Sequence, residues 1–399
     1  MRWTWHFGLG RELGYAFWAL TFFEGVFRAY IAVWPLWIER LGAPISVIGL
    51  VLGASGLIRP FVLGPGSVLL STHDTRMILI AARLLSIAGL ILAAFATSWP
   101  LLLVTVFTGA IGELVFPAIQ TYVADNAGDD PVHAFTMVIT IGPAIALIVT
   151  PVISSLAIAI GGIPAALLLA ATLTAIALIF VSRMEFTHSR SATSAAEKTS
   201  YRLALAHTGI RTLMIVHALT IGVLAVGSSL VSNFLEVERG FAPSLVSLLS
   251  AGAAVGTVTF GFIVSRNSGL RAAPIAAASI ACALTAMGYL LLATQTWLPL
   301  LALALVFRGG LFSTWSLFLG ALGSIAPAHL RARSFTIMEI LGGSAMSFGP
   351  VVASQLWKID PRMPFVGSAL CAAAMVLVLL AVRHRRELTA PAASVASRA

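Results

Sequence analysis

Apolar residues run through this chain in long uninterrupted blocks, and polar residues cluster in the short stretches between them. A helix needs about 20 apolar residues to cross the hydrocarbon core of a bilayer. Twelve segments meet that length, over residues 13–37, 45–69, 77–97, 99–123, 134–158, 163–182, 212–235, 244–265, 272–294, 298–324, 334–357 and 364–383. The runs are continuous rather than alternating, which excludes a transmembrane barrel. Thr97-Ser98-Trp99-Pro100 predicts a very tight turn between the third and fourth segments. The first segment follows a basic N-terminus, as a signal peptide would. It nevertheless contains Glu24 and Arg28 and shows no small-residue cleavage site, so it reads as an uncleaved first span. The expected fold class is an all-α membrane protein with twelve transmembrane helices.

The pattern also repeats. Glu39-Arg40-Leu41-Gly42-Ala43-Pro44 follows the first segment, and Glu238-Arg239-Gly240-Phe241-Ala242-Pro243 follows the seventh. Gly53-Ala54 recurs as Gly252-Ala253, Phe107 and Gly109 as Phe307 and Gly309, and Phe135-Thr136 as Phe335-Thr336. Register kept through several loops and helices indicates duplication. It predicts two six-helix bundles in parallel-repeat arrangement. The bundles are expected over residues 1–183 and 211–383, joined by a polar linker at 184–210 and followed by a tail at 384–399. Gly49, Gly53, Gly252 and Gly256 have the small-xxx-small spacing of helices packed in lipid.

Composition agrees with this picture. The 399 residues are 59% hydrophobic and 10% charged, with mean hydropathy +0.99. Soluble domains carry about 25% charged residues, so a cytosolic enzyme, a nucleic-acid binder and a disordered chain are excluded. The net charge of +9 follows from membrane orientation. With the N-terminus inside, sixteen of the 24 lysines and arginines fall in inner segments, and only Arg40, Arg239, Lys358 and Arg362 in outer ones. An even number of spans then puts both termini in the cytoplasm. Trp34, Trp37, Trp99, Trp297 and Trp357 fall at the outer span ends, as an interfacial belt would. Cys282 and Cys371 lie inside apolar runs and read as small buried hydrophobes rather than a disulfide or metal site.

With a 6+6 layout and an inside-facing central linker, the chain resembles the major facilitator superfamily over nearly its whole length. Gly261-Phe262-Ile263-Val264-Ser265-Arg266-Asn267-Ser268-Gly269-Leu270-Arg271 looks like that family's turn between spans 8 and 9, with Ser265 in place of the usual Asp. Around Ser71-Thr72-His73-Asp74 the first copy keeps Gly66 and Arg76 at altered spacing. Gly142-Pro143 matches the family's pair on span five. Exporters add a double glycine two residues later, where this chain has Ala146-Leu147; the half-match leans towards export. Gly53-Ala54-Ser55-Gly56-Leu57-Ile58-Arg59 is similar to proton symporters for phenylpropionate or sugars, but the Tyr-Gly…Arg signature of that branch is missing. The subfamily therefore stays open.

A charge at bilayer depth costs at least about 2.5–3.5 kcal/mol on insertion scales, so it tends to be paired or to face a watered cavity. Glu24, Arg28, Arg59, Glu113, Arg308 and Glu339 lie within spans, with Arg83 and His217 nearer the inner ends. The resemblance implies that helices 1, 4, 7 and 10 line a central cavity, and Glu24, Arg28, Glu113 and Arg308 fall on three of them. In the repeat register Glu113 corresponds to Ser313 and Arg308 to Thr108, an asymmetry that favours function over architecture. Glu24 and Arg28 share a helix face at i and i+4 and can pair. Glu113 has no basic residue at i±3 or i±4, which makes it the first candidate for carrying a proton, with Glu24 the next. Gln120 and Phe116 lie on the same stripe as Glu113. Arg308, Phe312 and Trp315 recur at i, i+4 and i+7, a pattern suited to an organic substrate with an anionic or aromatic part. Candidate substrate-binding residues are thus Arg28, Arg308, Trp315, Phe312 and Gln120, while Arg59 and Glu339 are further intramembrane charges.

The sequence contains no Walker phosphate loop, zincin motif or nucleophile elbow. No enzyme, nucleotide, nucleic acid, metal or cofactor is expected. The expected function is secondary active transport of a small organic solute, an anion being the favoured case, by alternating access, coupled to protons, with a lean to efflux. A proton-coupled uptake symporter for an organic acid or sugar is the near alternative. A non-transporting membrane receptor or assembly protein on the same fold is the far one. The expected setting is a bacterial cytoplasmic (inner) membrane, with the small-molecule substrate, protons and the lipid bilayer as partners and the protein a monomer.

Overall fold

A computed structural model describes residues 5–7, 9–126, 134, 136–186 and 201–383. Among them there is helix and turn but no strand. Most of the predicted linker and the whole tail at 384–399 lie outside the described residues, as do Asp129 and Asp130.

Each of the twelve apolar segments falls on a helix or a broken helix. The first is α1 (Arg11–Tyr30) with α2 (Trp34–Arg40), bent by 44° at the break. α3 (Ile45–Thr72) and α4 (Thr75–Ala94) follow. The fourth segment is split into α5 (Leu102–Gly112) and α6 (Val115–Asn126). A π-helical turn at Thr136–Ile141 leads into α7 (Gly142–Val181). At about 1.5 Å rise per residue α7 would be roughly 60 Å long, twice the hydrocarbon thickness. It therefore holds two spans, joined at Gly161 and Gly162, where the backbone leaves helical angles and Gly162 takes φ 68°.

The second half follows the same plan. α8 (Thr208–Ser229) continues through Val231–Asn233 and a π turn at Phe234–Glu238; then come α9 (Pro243–Arg266) and α10 (Pro274–Thr294). The tenth segment is again split, into α11 (Leu298–Arg308) and α12 (Gly310–Ile325). α13 (Ala328–Trp357) and α14 (Met363–Val382) end the described chain. Among the described residues, eight helices, or nine counting the bent pair, are long and apolar enough to cross a membrane, with Met137–Val181 and Leu298–Ile325 each counted as one.

Contacts divide the chain into two compact units. One is Met1–His188 with Leu235–Ala251; the other is Ser189–Phe234 with Gly252–Ala399. Within the first, residues 235–251 are tied in by an Arg40–Glu236 ion pair at 2.5 Å and by Ser247 Oγ, 3.3 Å from Ser154 Oγ. Lipid is as apolar as leucine, so helices in a membrane associate through close packing and hydrogen bonds rather than the hydrophobic effect. The seams show this. Gly25 leaves room for Thr150 and Gly142 for Thr21, so that α1 and α7 lie side by side. Ser154 Oγ donates across the seam to the Ala29 carbonyl.

In the second unit Gly252 and Gly256 abut Leu305 and Val306 of α11, as their spacing predicts, and Gly349 abuts Ala225. Tyr289 donates to the Leu224 carbonyl at 2.5 Å and Ser368 to that of Val223 at 2.6 Å. Large apolar side chains such as Ile160, 90% exposed, and Phe61 project outward, where a bilayer would cover them. Cys282 is buried, Cys371 is exposed, and both are free thiols.

Candidate functional site

In the fourth and tenth segments a helix turn falls beside a charge within the span. α5 ends at Gly112, Glu113 is its C-terminal flanking residue, and helical hydrogen bonding resumes only at Val115. α11 ends at Arg308, Gly309 makes the break, and α12 starts at Gly310. The end of a helix leaves carbonyl oxygens without intrahelical partners and carries partial negative charge. Arg308 is therefore favourably placed, with a cation in the last turn of its own helix. Glu113 is not: an anion at a C-terminal end is repelled.

The first unit answers that repulsion with Arg83. This side chain is 2% exposed and stands in the middle of α4. Its Nη2 donates to the Gly112 carbonyl, the last of α5. Its guanidinium lies 4.0 Å from the centre of the Phe23 ring, a cation–π contact. It is also within electrostatic reach of the Glu113 carboxyl, as is the Tyr30 hydroxyl. Arg83, Ser86, Thr105, Thr108, Tyr30 and Phe23 line a cavity of about 20 Å³, room for a single water molecule. Glu24 and Arg28, one turn apart on α1, interact electrostatically, as their i, i+4 spacing predicts. Phe116 packs edge-on against Phe23 in the core of this unit, with ring centres 4.9 Å apart. Gln120 is exposed on α6. Arg59 lies on α3, with its side chain outside the described residues.

In the second unit the break separates residues that the sequence places on one stripe: Arg308 closes α11, whereas Phe312 and Trp315 belong to α12. Arg308 is within electrostatic reach of Tyr289 on α10. Trp315 is held from two sides. Its Nε1 donates to Glu339 Oε1 on α13 at 3.0 Å, and its ring meets His217 of α8 edge to face, 5.0 Å between centres. His217 is fully buried rather than interfacial and also packs on Phe318. Among the described residues neither of its ring nitrogens has a hydrogen-bond partner. Gly342 completes the arrangement, since a methyl group there would lie 2.5 Å from His217 Nε2 and 2.9 Å from the Trp315 ring.

Two elements of these clusters escape a reading of hydropathy alone. Arg83 shows in the sequence as one more charge inside an apolar run, and nothing on its own helix points to its bond with the end of α5. Gly342 gives no signal, because its role is the absence of a side chain beside two rings from other helices.

Comparison with known proteins bears on the whole fold. The family model described as Major Facilitator Superfamily matches residues 16–350. Among solved structures, the nucleoside transporter NupG superposes with a TM-score of 0.72 at 16% identity, covering 94% of this chain and 100% of that one. A POT family transporter in complex with a thioalcohol-conjugated peptide gives 0.74 at 14% identity, covering 94% and 96%. The human organic anion transporter TETRAN gives 0.60 at 15% identity, covering 93% and 99%. No curated protein matches the sequence. Identities this low speak to the fold alone; the family model speaks to descent. With nearly all its described residues helical and the family model matching residues 16–350, this multi-pass membrane protein is a transporter rather than an enzyme, and the chain belongs to the major facilitator superfamily.

Proposed function

We propose that the protein is a proton-coupled secondary transporter that moves a small organic anion across a bacterial inner membrane by alternating access, in the direction of export. Two six-helix bundles, residues 1–183 and 211–383, carry the cycle, with the linker and both termini in the cytoplasm. The observation that carries this reading is a pair of charges within spans, each beside a helix turn: Glu113 following α5 and Arg308 closing α11. A carboxyl within the membrane is a hypothesis of proton transfer by default. An arginine beside aromatic rings suits a carboxylate on an apolar body.

In this reading Glu113 takes and releases the proton, with Glu24 second in line. Arg308 and Arg28 hold the anionic group. Trp315 and Phe312 face the apolar part of the solute and Gln120 contributes a hydrogen bond; Arg59 and Glu339 tune the field around them. The test begins with a thermal-shift screen of the purified protein against organic acids, nucleosides, peptides, amino acids and sugars at two pH values. The best ligand is then followed in proteoliposomes. Glu113→Gln is expected to abolish accumulation driven by a pH gradient and to leave exchange of labelled for unlabelled ligand intact. A neutral amide keeps hydrogen bonds but carries no proton. Accumulation by Glu113→Gln at the wild-type level overturns the role of Glu113. Undiminished affinity for an organic acid in a well-folded Arg308→Ala protein overturns the role of Arg308.

A further inference from the structure

His217 of α8 is fully buried, and among the described residues neither of its ring nitrogens has a hydrogen-bond partner. A buried polar group left without a partner costs about 1–3 kcal/mol. Packing alone does not call for one here. The ring sits in the notch left by Gly342, where a methyl group would lie 2.5 Å from Nε2. In the repeat register Gly342 corresponds to Gly142, and at the same offset His217 corresponds to Phe17. The side chains beside Gly142 are those of Phe17 and Thr21 on α1, and the Thr21 hydroxyl donates to the Phe17 carbonyl at 2.7 Å. The first repeat thus fills its notch with an apolar ring and a satisfied hydroxyl. The two bare nitrogens in the second repeat need a reason other than the fold.

The reason lies beside the ring. His217 meets the Trp315 indole edge to face, 5.0 Å between centres. The same indole donates from Nε1 to Glu339 Oε1 at 3.0 Å. Glu339 and Gly342 stand at i and i+3 on α13, hence on one face of that helix. An imidazole and a carboxylate therefore flank one indole from two helices. The other elements packed on α8 supply no rival partner among the described residues. α12 carries no titratable side chain. On α10, Tyr289 and Cys282 donate to the Leu224 and Ala372 carbonyls, and Cys371 of α14 is exposed. Arg211 of α8 itself is exposed. The side chains of His329, Arg331 and Arg333 at the start of α13 lie outside the described residues, as do those of Tyr201 and Arg202.

We propose that His217 is a proton-binding site of the second bundle, and that the Glu339 carboxylate serves two donors in turn: the Trp315 indole while His217 is neutral, and the imidazolium once it is charged. A neutral imidazole has one donor nitrogen and one acceptor; a proton from water makes both nitrogens donors and adds a positive charge. A charge-assisted bond to a carboxylate is about twice as strong as a neutral one, so the imidazolium displaces the indole. The absence of a side chain at Gly342 lets the ring move along α13 towards Glu339, one turn away. On the reading of Trp315 as a solute contact, each proton on His217 then turns the wall that the solute meets. The proton site itself depends neither on that reading nor on any role of Glu113.

The test needs no solute. Protein carrying 5-fluorotryptophan in lipid nanodiscs is followed by fluorine NMR from about pH 5 to about pH 8, the range a histidine covers. The Trp315 resonance is assigned through Trp315→Phe and is expected to move in one transition. His217→Phe, which puts in the notch the ring that its counterpart Phe17 supplies, is expected to abolish the transition and hold the resonance at its alkaline position. Glu339→Gln still accepts from the indole but offers the imidazolium no anion, so its transition is expected about one to three pH units towards acid. A wild-type resonance that ignores pH overturns the proposal, as does an unchanged transition in folded His217→Phe. Should His217→Phe fail to fold, His217→Gln takes its place, and an unchanged transition there overturns the proposal equally. A transition that Glu339→Gln leaves at the wild-type midpoint overturns the shared carboxylate.

Discussion

The broken spans of the two repeats start from one scaffold and end with opposite charges. In both, a hydroxyl on the preceding helix, at matching positions of the repeat, donates to a carbonyl of the charged span, that of Thr108 or of Phe307. Beyond that shared bond they part. The first half places an anion, Glu113, after a helix C-terminus, and Arg83 of α4 bonds the adjacent Gly112 carbonyl. The second places the cation, Arg308, in the last turn itself, where the helix dipole favours it. The surroundings differ too. Gly109 has open space around it, whereas its counterpart Gly309 is packed against Ala253 and Thr257 of α9. Duplication thus preserved the bonds that hold helices together and released the side chains at the breaks to diverge.

The glycines give the largest expected contrast. Gly309→Ala drives a methyl group into the α9 backbone, which cannot swing aside, and is expected to cost about 1–3 kcal/mol as overpacking does. Gly109→Ala meets nothing and replaces a helix-interior glycine, so it is expected to stay within about 1 kcal/mol of wild type. Thermal unfolding of the two variants in the same detergent decides the matter; equal melting temperatures would mean that the two glycine positions are packed alike after all.

A smaller effect is expected around Trp315, which stands in the second half where Val115 stands in the first. Gly342→Ala presses on both His217 and the indole. It is expected to turn Trp315 off Glu339 at a cost of about 1 kcal/mol, the worth of one hydrogen bond. Gly343→Ala, with open space around its Cα, is its control. The measurement is fluorine NMR of protein carrying 5-fluorotryptophan, with the resonance assigned through Trp315→Phe. Glu339→Ala should shift that resonance as Gly342→Ala does. Glu339→Gln should move it less, because an amide oxygen still accepts from the indole. A resonance indifferent to Gly342→Ala would mean that this wall does not hold Trp315.

The smallest effect belongs to the repeated turns. Arg40 lies in the first copy, and its partner Glu236 lies just before the second; their side chains are 45% and 23% exposed. Exposed ion pairs contribute about 0–1 kcal/mol, so Glu236→Gln is expected to lower the melting temperature slightly at low salt and not at all near 1 M, where screening is short-ranged. A large, salt-independent loss would show that the pair does more than its exposure suggests.

Much of the architecture was legible in one dimension. Crossing a bilayer demands a length of apolar chain, and length and apolarity are properties of a string. The twelve segments, the doubled plan and the turn glycines therefore follow from residue order; Gly42 and Gly240 duly take positive φ of 86° and 70° before the prolines that open α3 and α9. Glu24 with Arg28 was readable for the same reason, since partners one turn apart lie on one helix. What residue order could not supply was any relation across helices. Glu113 has no basic neighbour on its stripe, yet Arg83 of the preceding helix, α4, bonds the carbonyl of Gly112 beside it. His217, Trp315, Glu339 and Gly342 come from α8, α12 and α13. Nor does hydropathy tell a charge beside a helix turn, such as Glu113 or Arg308, from one in mid-helix, such as Arg83. Those contacts depend on helix rotation and crossing, which close packing between side chains of different helices sets. Only the folded chain decides which buried charge meets which.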